Sequence, residues 1–302
     1  VLVTGVRGKV GSAAAARLRH LGADVLGTDL GPPVYERDDV RYVRADLTDA
    51  GACFTLVDGC DVVVHAAALP DPLHEPPHVV FSNNLMSTFH LLEAASRLGV
   101  RRFVLVSSET APGFFFPCRP QLPRYVPVDE EHPLEPQDPY ALAKVFGEQL
   151  CDATVRRGGP SCVSVRPSWV QWEGNYARNL GPLVRDAAEP SESLGSYTDV
   201  YDLADALAMA CTADVEGHEV VYVANPDNAG GHDLVEKARR AYGDAVEVRP
   251  VSRPDASGIS SAKAERVLGW TARRSWRDYL DADGGLTVEV PASPAESPQV
   301  RR

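Results

Sequence analysis

The feature that most constrains the fold of this chain is a glycine-rich turn at its beginning. The strand-like run Val1–Thr4 leads into Gly5-Val6-Arg7-Gly8-Lys9-Val10-Gly11, and the helical stretch Val10–Leu21 follows directly. Glycines at this spacing allow a tight turn, a close approach of the backbone to a pyrophosphate, and close packing of helix on strand. Free N–H groups of the helix then point at the phosphates. The order strand, turn, helix therefore predicts a dinucleotide-binding unit.

Short β-branched runs alternate with amphipathic stretches over the first two-thirds of the chain. This alternation is typical of a parallel sheet with helices on both faces, so we predict an α/β fold, a Rossmann-type doubly wound parallel sheet. The predicted strands are Val1–Thr4, Asp24–Thr28, Val40–Arg44, Asp61–His65, Arg102–Ser107, Cys162–Arg166 and Glu219–Val223. The predicted helices are Val10–Leu21, Ala50–Val57, Val79–Leu98 and Tyr140–Arg157. Within Val79–Leu98, helical spacing predicts that Leu85, Phe89, Leu92 and Ala95 pack on the sheet.

The regular alternation weakens after Arg166, which indicates a second unit. We expect a dinucleotide-binding domain over residues 1–166, rejoined by about 197–224, and a smaller substrate-binding lobe formed by 167–196 and 225–285. Residues 286–302 are rich in proline and small polar side chains, which predicts a flexible tail. The stretch Pro112–Pro139 is predicted to be a long ordered loop over a binding site.

Charge and cysteine usage exclude several classes of protein. A formal net charge of −12 argues against binding of a nucleic-acid backbone. No apolar run is long enough for a membrane span, and no signal peptide is visible. The six cysteines are scattered without a CxxC pair, which favours reduced thiols over disulfides or a metal site. We therefore expect a cytoplasmic protein without metal, nucleic-acid or membrane partners.

Carboxylates at the ends of the second and third strands suggest the identity of the nucleotide. Asp29 stands about 18 residues beyond Gly11, where a carboxylate accepts both ribose hydroxyls of adenosine and favours NAD over NADP. Asp46-Leu47 could bracket the adenine ring. The nearby cations Arg7 and Lys9 leave open whether a 2′-phosphate is also tolerated.

A second constellation points to proton transfer. Tyr140 and Lys144 lie one helical turn apart on one face, and Asp138-Pro139 marks the helix start. A nearby ammonium favours the phenolate, although lowering a tyrosine pKa by about three units needs about 4 kcal/mol. The strand Arg102–Ser107 ends next to Ser108, whose hydroxyl can bind a substrate oxygen.

Taken together, these residues resemble the extended short-chain dehydrogenase/reductase superfamily, and within it the NAD-dependent epimerase/dehydratase family. Further matching features are His65-Ala66-Ala67-Ala68, Asn84, Arg166-Pro167-Ser168, Tyr197–Ala204 and Ser261–Trp270. The resemblance extends to about residue 283.

The resemblance implies NAD as cofactor and Ser108, Tyr140 and Lys144 as catalytic residues. It also implies a cofactor-binding set from the glycine turn, the strand ends and the alanine run: Gly5, Arg7, Gly8, Lys9, Val10, Gly11, Asp29, Asp46, Leu47, Ala66, Ala67, Ala68, Asn84, Ser107, Tyr140, Lys144, Pro167 and Ser168. His65, in contrast, is expected to be a packed strand residue.

The substrate side departs from the family's dehydratases, which carry an Asp-Glu pair directly after the catalytic hydroxyl. Here Glu109-Thr110 follow Ser108, so we do not expect dehydration, and Glu109 is a candidate substrate contact beside Ser108 itself. The segment Asn175-Tyr176-Ala177-Arg178 is similar to uronate dehydrogenases, which implies that Asn175 and Arg178 hold a sugar carboxylate or hydroxyls. Arg253 is a further candidate, as a phosphate ligand.

The predicted function is NAD-dependent hydride transfer at a secondary alcohol of a sugar or nucleotide sugar, with an epimerase as the leading form. A sugar or uronate dehydrogenase and a reductase of small ketones stay open, and so does a non-catalytic NAD-binding sensor. The helices Val79–Leu98 and Tyr140–Arg157 resemble those that form a four-helix interface in relatives, which implies a homodimer.

Overall fold

The computed structural model describes residues 1–32, 40–189 and 191–287. The strands are β1 (Leu2–Thr4), β2 (Leu26–Asp29), β3 (Arg41–Arg44), β4 (Val62–His65), β5 (Arg102–Val106), β6 (Tyr125–Val126), β7 (Ser161–Pro167), β8 (Val170–Gln171), β9 (Thr198–Asp199), β10 (His218–Val223) and β11 (Glu247–Val248). The helices are α1 (Lys9–His20), α2 (Ala50–Val57), α3 (Pro77–Arg97), α4 (Pro139–Arg156), α5 (Tyr176–Asn179), α6 (Gly181–Arg185), α7 (Val200–Thr212), α8 (Leu234–Tyr242) and α9 (Ala262–Leu268).

A parallel sheet with the strand order β3-β2-β1-β4-β5-β7-β10 forms the centre of the molecule. The chain builds outward from β1 to β3 and then returns to place β4 on the other side of β1. Ligands of such sheets bind at this reversal, beyond the carboxyl ends of the strands. The predicted α/β class is confirmed, and every predicted strand is present with its ends shifted by at most two residues.

Helices cover both faces of the sheet, because alternate side chains of its central strands are apolar on both sides. Val3, Val64 and Val104 belong to a core shared with α1 and α7. Leu2, Phe103 and their neighbours pack against α2, α3 and α4 on the other face. Parallel sheets are typically buried in this way.

Helix α3 corrects one prediction about packing. Leu92 and Ala95 are buried as predicted, but Phe89 is 38% exposed and so is Met86. Leu85, Met86 and Phe89 line a groove together with Phe146 of α4. Helical spacing predicts one buried face, whereas α3 has a second apolar face that points away from the sheet.

Beyond Arg166 the chain forms smaller clusters next to the sheet. One contains Leu234, Val246 and Ile259, and another packs Tyr176 against Tyr279 with ring centres 4.1 Å apart. The segment expected to return to the main sheet contributes α7, which covers it, and β10, which extends it. The division into a dinucleotide-binding domain and a substrate lobe stays a prediction.

Two residues of the predicted tail are bonded to the segment that precedes them. Leu286 forms a bridge with Leu280, and the Thr287 N–H donates to the Tyr279 carbonyl at 2.9 Å. The rest of that predicted tail, 288–302, lies outside the described residues. In the part of the chain that the structure describes, no helix is long and apolar enough to cross a membrane.

Candidate active site

The glycine turn joins β1 to α1 through close contacts between backbone segments. Gly5 has a φ of +71°, and a Cβ there would lie 2.8 Å from the backbone of Ala67. A Cβ on Gly11 would lie 2.2 Å from the Gly5 carbonyl oxygen. The first N–H groups of a helix have no partner within it, so those of α1 are available to phosphate oxygens. The turn therefore fits the pyrophosphate of a dinucleotide.

Asp29 lies beside this turn at the end of β2. Its Oδ2 accepts a hydrogen bond from the Arg7 N–H at 3.0 Å. The Arg7 guanidinium donates to the Pro32 carbonyl at 2.5 Å, so a cation and a carboxylate flank the predicted ribose position. Asp46 is exposed and its Oδ1 accepts from both the N–H and the hydroxyl of Thr48, while Leu47 is buried.

The alanine run after β4 is fixed by Thr4 and Asn84. The Thr4 hydroxyl accepts from the Ala66 and Ala67 N–H groups at 3.2 and 3.1 Å. The Asn84 amide accepts from the Leu69 N–H at 2.8 Å and donates to the Leu69 carbonyl at 3.0 Å. This pairing holds the loop against the glycine turn, so Asn84 supports the site through the backbone.

His65 is a packed strand residue, as expected. It is 2% exposed, and its two ring nitrogens contact the hydroxyls of Thr4 and Thr88 at 2.8 and 3.2 Å. Burial, with a smaller contribution from Lys144, lowers the pKa of His65 to about 3. The imidazole is therefore neutral at physiological pH.

The structure brings Ser108, Tyr140 and Lys144 together at the carboxyl edge of the sheet. Asp138 caps α4 by accepting from the Tyr140 and Ala141 N–H groups, which places Tyr140 in the first turn. The Ser108 hydroxyl lies close enough to the Tyr140 phenol to favour its ionisation, and it accepts hydrogen bonds from the N–H and the hydroxyl of Thr110 at 3.1 and 3.0 Å. The Lys144 Nζ lies 5.5 Å from the centre of the Tyr140 ring.

Burial dominates the acidity of the phenol and of the ammonium. It raises the pKa of Tyr140 to about 12, although the Ser108 hydroxyl acts in the opposite direction. It lowers the pKa of Lys144 to about 8, against the influence of Glu148. The ammonium is expected to favour the phenolate, but in the protein alone burial gives Tyr140 a net rise in pKa.

Glu109 is a buried acid next to the catalytic hydroxyl. Its Oε2 accepts from the Ser168 hydroxyl at 2.6 Å, and its N–H donates to the Pro167 carbonyl at 3.1 Å. Burial raises the pKa of Glu109 to about 8, so the carboxyl is mostly protonated at neutral pH. Sequence reasoning identified the residue but not this state, which depends on the segment after β7 closing over it.

Ser107 has a different environment from the cofactor contact that the resemblance implied. Its hydroxyl donates to Glu148 at 2.6 Å, and Arg166 donates to both oxygens of the same carboxylate at 2.8 and 2.6 Å. Sequence reasoning missed this partnership, although Glu148 stands four residues after Lys144 on the same helix face.

The predicted substrate ligands of the lobe bond to their own neighbours. Asn175 is 2% exposed, and its side chain accepts from the Trp172 N–H at 2.8 Å. Arg178 is exposed and donates to Asn179 at 3.1 Å. Arg253 forms a two-point ion pair with Asp255 at 2.6 and 2.9 Å. Their roles toward substrate stay predictions.

One contact that sequence reasoning did not find links the glycine turn to the segment after β8. The Lys9 ammonium lies 5.0 Å from the centre of the Trp172 ring, within the range of a cation–π interaction. Lys9 is the first residue of α1, and Trp172 directly follows β8. The contact therefore joins the N-terminus of α1 to the segment after β8.

Comparison with known proteins agrees with this geometry. Residues 1–224 match the NAD dependent epimerase/dehydratase family, and the chain belongs to that family. It is 28% identical to a UDP-glucose 4-epimerase of Corynebacterium glutamicum, over 90% of each chain. It is 29% identical to a uronate dehydrogenase of Agrobacterium fabrum, over 77% of this chain and 79% of the relative.

A solved structure extends the comparison to the fold. A short-chain dehydrogenase/reductase superfamily protein from Agrobacterium tumefaciens with bound NAD superposes with a TM-score of 0.70 and 26% identity, covering 91% of this chain and 93% of that one. The predicted superfamily, the enzymatic class and the NAD dependence are thereby confirmed. The protein is an NAD-dependent oxidoreductase of the epimerase/dehydratase family.

Proposed function

We propose that this enzyme inverts a secondary alcohol of a sugar or nucleotide sugar by oxidation and re-reduction, as an epimerase. The observation that carries the proposal is the position of Tyr140, whose phenol lies beside the Ser108 hydroxyl and whose ring lies 5.5 Å from the Lys144 ammonium. Support for the epimerase form comes from the match to a UDP-glucose 4-epimerase over nine-tenths of both chains.

The residues divide the chemistry among them. Bound NAD supplies the hydride acceptor and a positive charge near Tyr140. The Tyr140 oxygen takes the proton of the substrate hydroxyl, and Ser108 donates a hydrogen bond to the same substrate oxygen. Lys144, anchored at 2.7 Å to the Val106 carbonyl, stabilises the phenolate that this transfer requires.

The cofactor residues follow from the shape of the turn. The N-terminus of α1, with Gly5, Gly8, Lys9 and Gly11, would hold the pyrophosphate, and Asp29 would accept the adenosine ribose hydroxyls. The segments around Ala67 and Pro167–Ser168 would flank the nicotinamide end.

A dehydrogenase is the second candidate, favoured by the match to a uronate dehydrogenase. The two are separated by incubating the protein with NAD and each of UDP-glucose, UDP-galactose, D-glucuronate and D-galacturonate. An isomerised sugar with constant NADH absorbance supports the epimerase, and stoichiometric NADH with an oxidised sugar supports the dehydrogenase. If NAD binds but no sugar on this panel or a wider polyol and ketone panel changes, the proposed function is wrong.

We also propose a homodimer through the outer faces of α3 and α4, in a reducing compartment such as the cytoplasm. Met86, Phe89 and Phe146 are each 38% exposed on this face, and the cysteines are free thiols in the part of the chain described. Sedimentation should show a dimer that Phe89→Asp converts to a monomer. A monomeric unmodified chain at micromolar concentration would refute the interface.

A further inference from the structure

A buried ion pair lies directly behind the catalytic residues. Glu148 and Arg166 are 4% and 2% exposed, and the guanidinium donates to both carboxylate oxygens. The Ser107 hydroxyl donates to the Glu148 Oε1 at 2.6 Å, and the Arg166 Nη1 donates to the Tyr222 hydroxyl at 3.3 Å. Both oxygens of the carboxylate are therefore occupied by donors.

The members of this pair belong to the segments that carry the active site. Ser107 directly precedes Ser108 after β5, and Glu148 lies one turn beyond Lys144 on α4. Arg166 directly precedes the Pro167–Ser168 segment at the end of β7. A side chain that is bonded to all three segments fixes their relative positions at the edge where the reaction takes place.

Glu148 also acts on Lys144 through its charge. Burial lowers the pKa of Lys144 to about 8, and Glu148 raises it. The other described groups that face the ammonium are the Val106 carbonyl of β5, the Tyr140 ring of α4 and the neutral His65 of β4. Glu148 is thus the neighbouring carboxylate that favours the charged form of Lys144.

We propose that the Glu148–Arg166 pair positions Ser108, Tyr140 and Lys144 for hydride transfer and that Glu148 keeps Lys144 charged. The pair acts as a positioning group through the segments that it joins, and Glu148 acts on Lys144 through its charge. The inference about catalysis rests on the proposed function, whereas the effect on Lys144 does not.

The charge effect is measured without a substrate. The chain has four lysines. An NMR spectrum of protein labelled at the lysine ε-carbon therefore contains few signals, and the Lys144→Met variant identifies the signal of Lys144. Lys144 should titrate at about 8 in the unmodified protein and at a lower pH in Glu148→Gln. An unchanged titration in Glu148→Gln would overturn the electrostatic part of the proposal.

The positioning effect is measured on a substrate found active in the sugar panel. Glu148→Gln should lower kcat by about tenfold, as expected for a hydrogen-bonded group whose loss costs little more than one bond. The alkaline limb of the kcat profile should move to lower pH, because Lys144 loses its proton earlier. If kcat falls equally at every pH and the alkaline limb of its pH profile stays in place, the role of Glu148 is structural only.

Two further variants keep the test independent of folding. Replacing the pair by apolar side chains, Glu148→Leu with Arg166→Met, should restore the thermal stability that Arg166→Met alone removes, because buried ion pairs tolerate such joint replacement. The double variant should nevertheless keep the reduced kcat and the displaced alkaline limb. If kcat recovers together with stability, the positioning role is refuted.

Helix α4 offers a matched control one turn further along. Asp152 contacts His218 at 2.7 Å, and the His218 ring contacts Ser164 at 2.8 Å, so this group also joins α4 to β7 and β10. It contacts β7 at Ser164, in the middle of the strand and three residues before Pro167. Asp152→Asn should leave the titration of Lys144 and the pH profile unchanged; a displacement equal to that in Glu148→Gln would contradict a specific role for Glu148.

Failure of every sugar in the panel would refute the proposed function, while the lysine titration would still decide whether Glu148 keeps Lys144 charged.

Discussion

The glycine turn and the substrate side of the site are built in different ways. In the turn, contacts are between backbone atoms, and a Cβ on Gly5 or Gly11 would overlap neighbouring main chain. On the predicted substrate side, the candidate ligands are polar side chains, and Asn175, Arg178 and Arg253 bond to residues that are close to them in sequence. The shape of the glycine turn therefore depends on which residues are small. The shape of the predicted substrate side depends on where its side chains point.

The largest effect expected from this difference is on the turn. Gly11→Ala places a methyl group 2.2 Å from the Gly5 carbonyl oxygen, so the turn must move. A strain of about 1–3 kcal/mol corresponds to a loss of about tenfold to a hundredfold in NAD affinity, measured by calorimetry. Gly8→Ala is the matched control, because its Cβ lies 3.2 Å from the same oxygen and the loss should be smaller. Equal losses of NAD affinity in the two variants would show that the distance from the added Cβ to the Gly5 oxygen does not determine the effect.

An intermediate effect is expected at Glu109, where burial sets the protonation state. Its folded pKa of about 8 lies above the ordinary 4.5, so the native state retains a proton that the unfolded state releases. The free energy of unfolding should fall as pH rises from about 4.5 to about 8, by at most about 1.4 kcal/mol per pH unit. Glu109→Gln should remove this contribution.

The measurement is urea unfolding of both proteins at pH 5 and pH 8. Glu109→Gln should be more stable relative to the unmodified chain at pH 8 than at pH 5. Glu131→Gln is the control, because Glu131 is exposed in the loop between Glu109 and α4, and it should show no such difference. A stability difference for Glu109→Gln that is the same at both pH values would place the carboxyl in a more polar environment than the structure gives it.

The smallest effects should separate the two arginines of the lobe. Arg178 is exposed with one hydrogen bond to Asn179, so its guanidinium has donors left for a substrate. Arg178→Ala should raise KM by about tenfold, as for one charged hydrogen bond. Arg253 is occupied by Asp255, and Arg253→Ala should change KM by less than about twofold. The reverse order would show that Arg253 exchanges its partner for substrate.

The same comparison explains what could be predicted from the sequence. The order of strands and helices followed from hydrophobic periodicity, and the glycine turn followed from residue size, because both depend on the backbone. The exposed side of Phe89, the bond of Ser107 to Glu148 and the contact of Lys9 with Trp172 depend on rotamers and on segments distant in sequence. The raised pKa of Tyr140 likewise required the burial that only the folded loop provides.

The proposed reaction requires the Tyr140 hydroxyl to carry the proton during hydride transfer. Tyr140→Phe keeps the buried ring and removes only the oxygen, so it is the most direct test. We predict that kcat falls about 10²–10⁴-fold while NAD affinity and cooperative unfolding are unchanged. Turnover of the Tyr140→Phe variant at the rate of the unmodified protein would contradict the account.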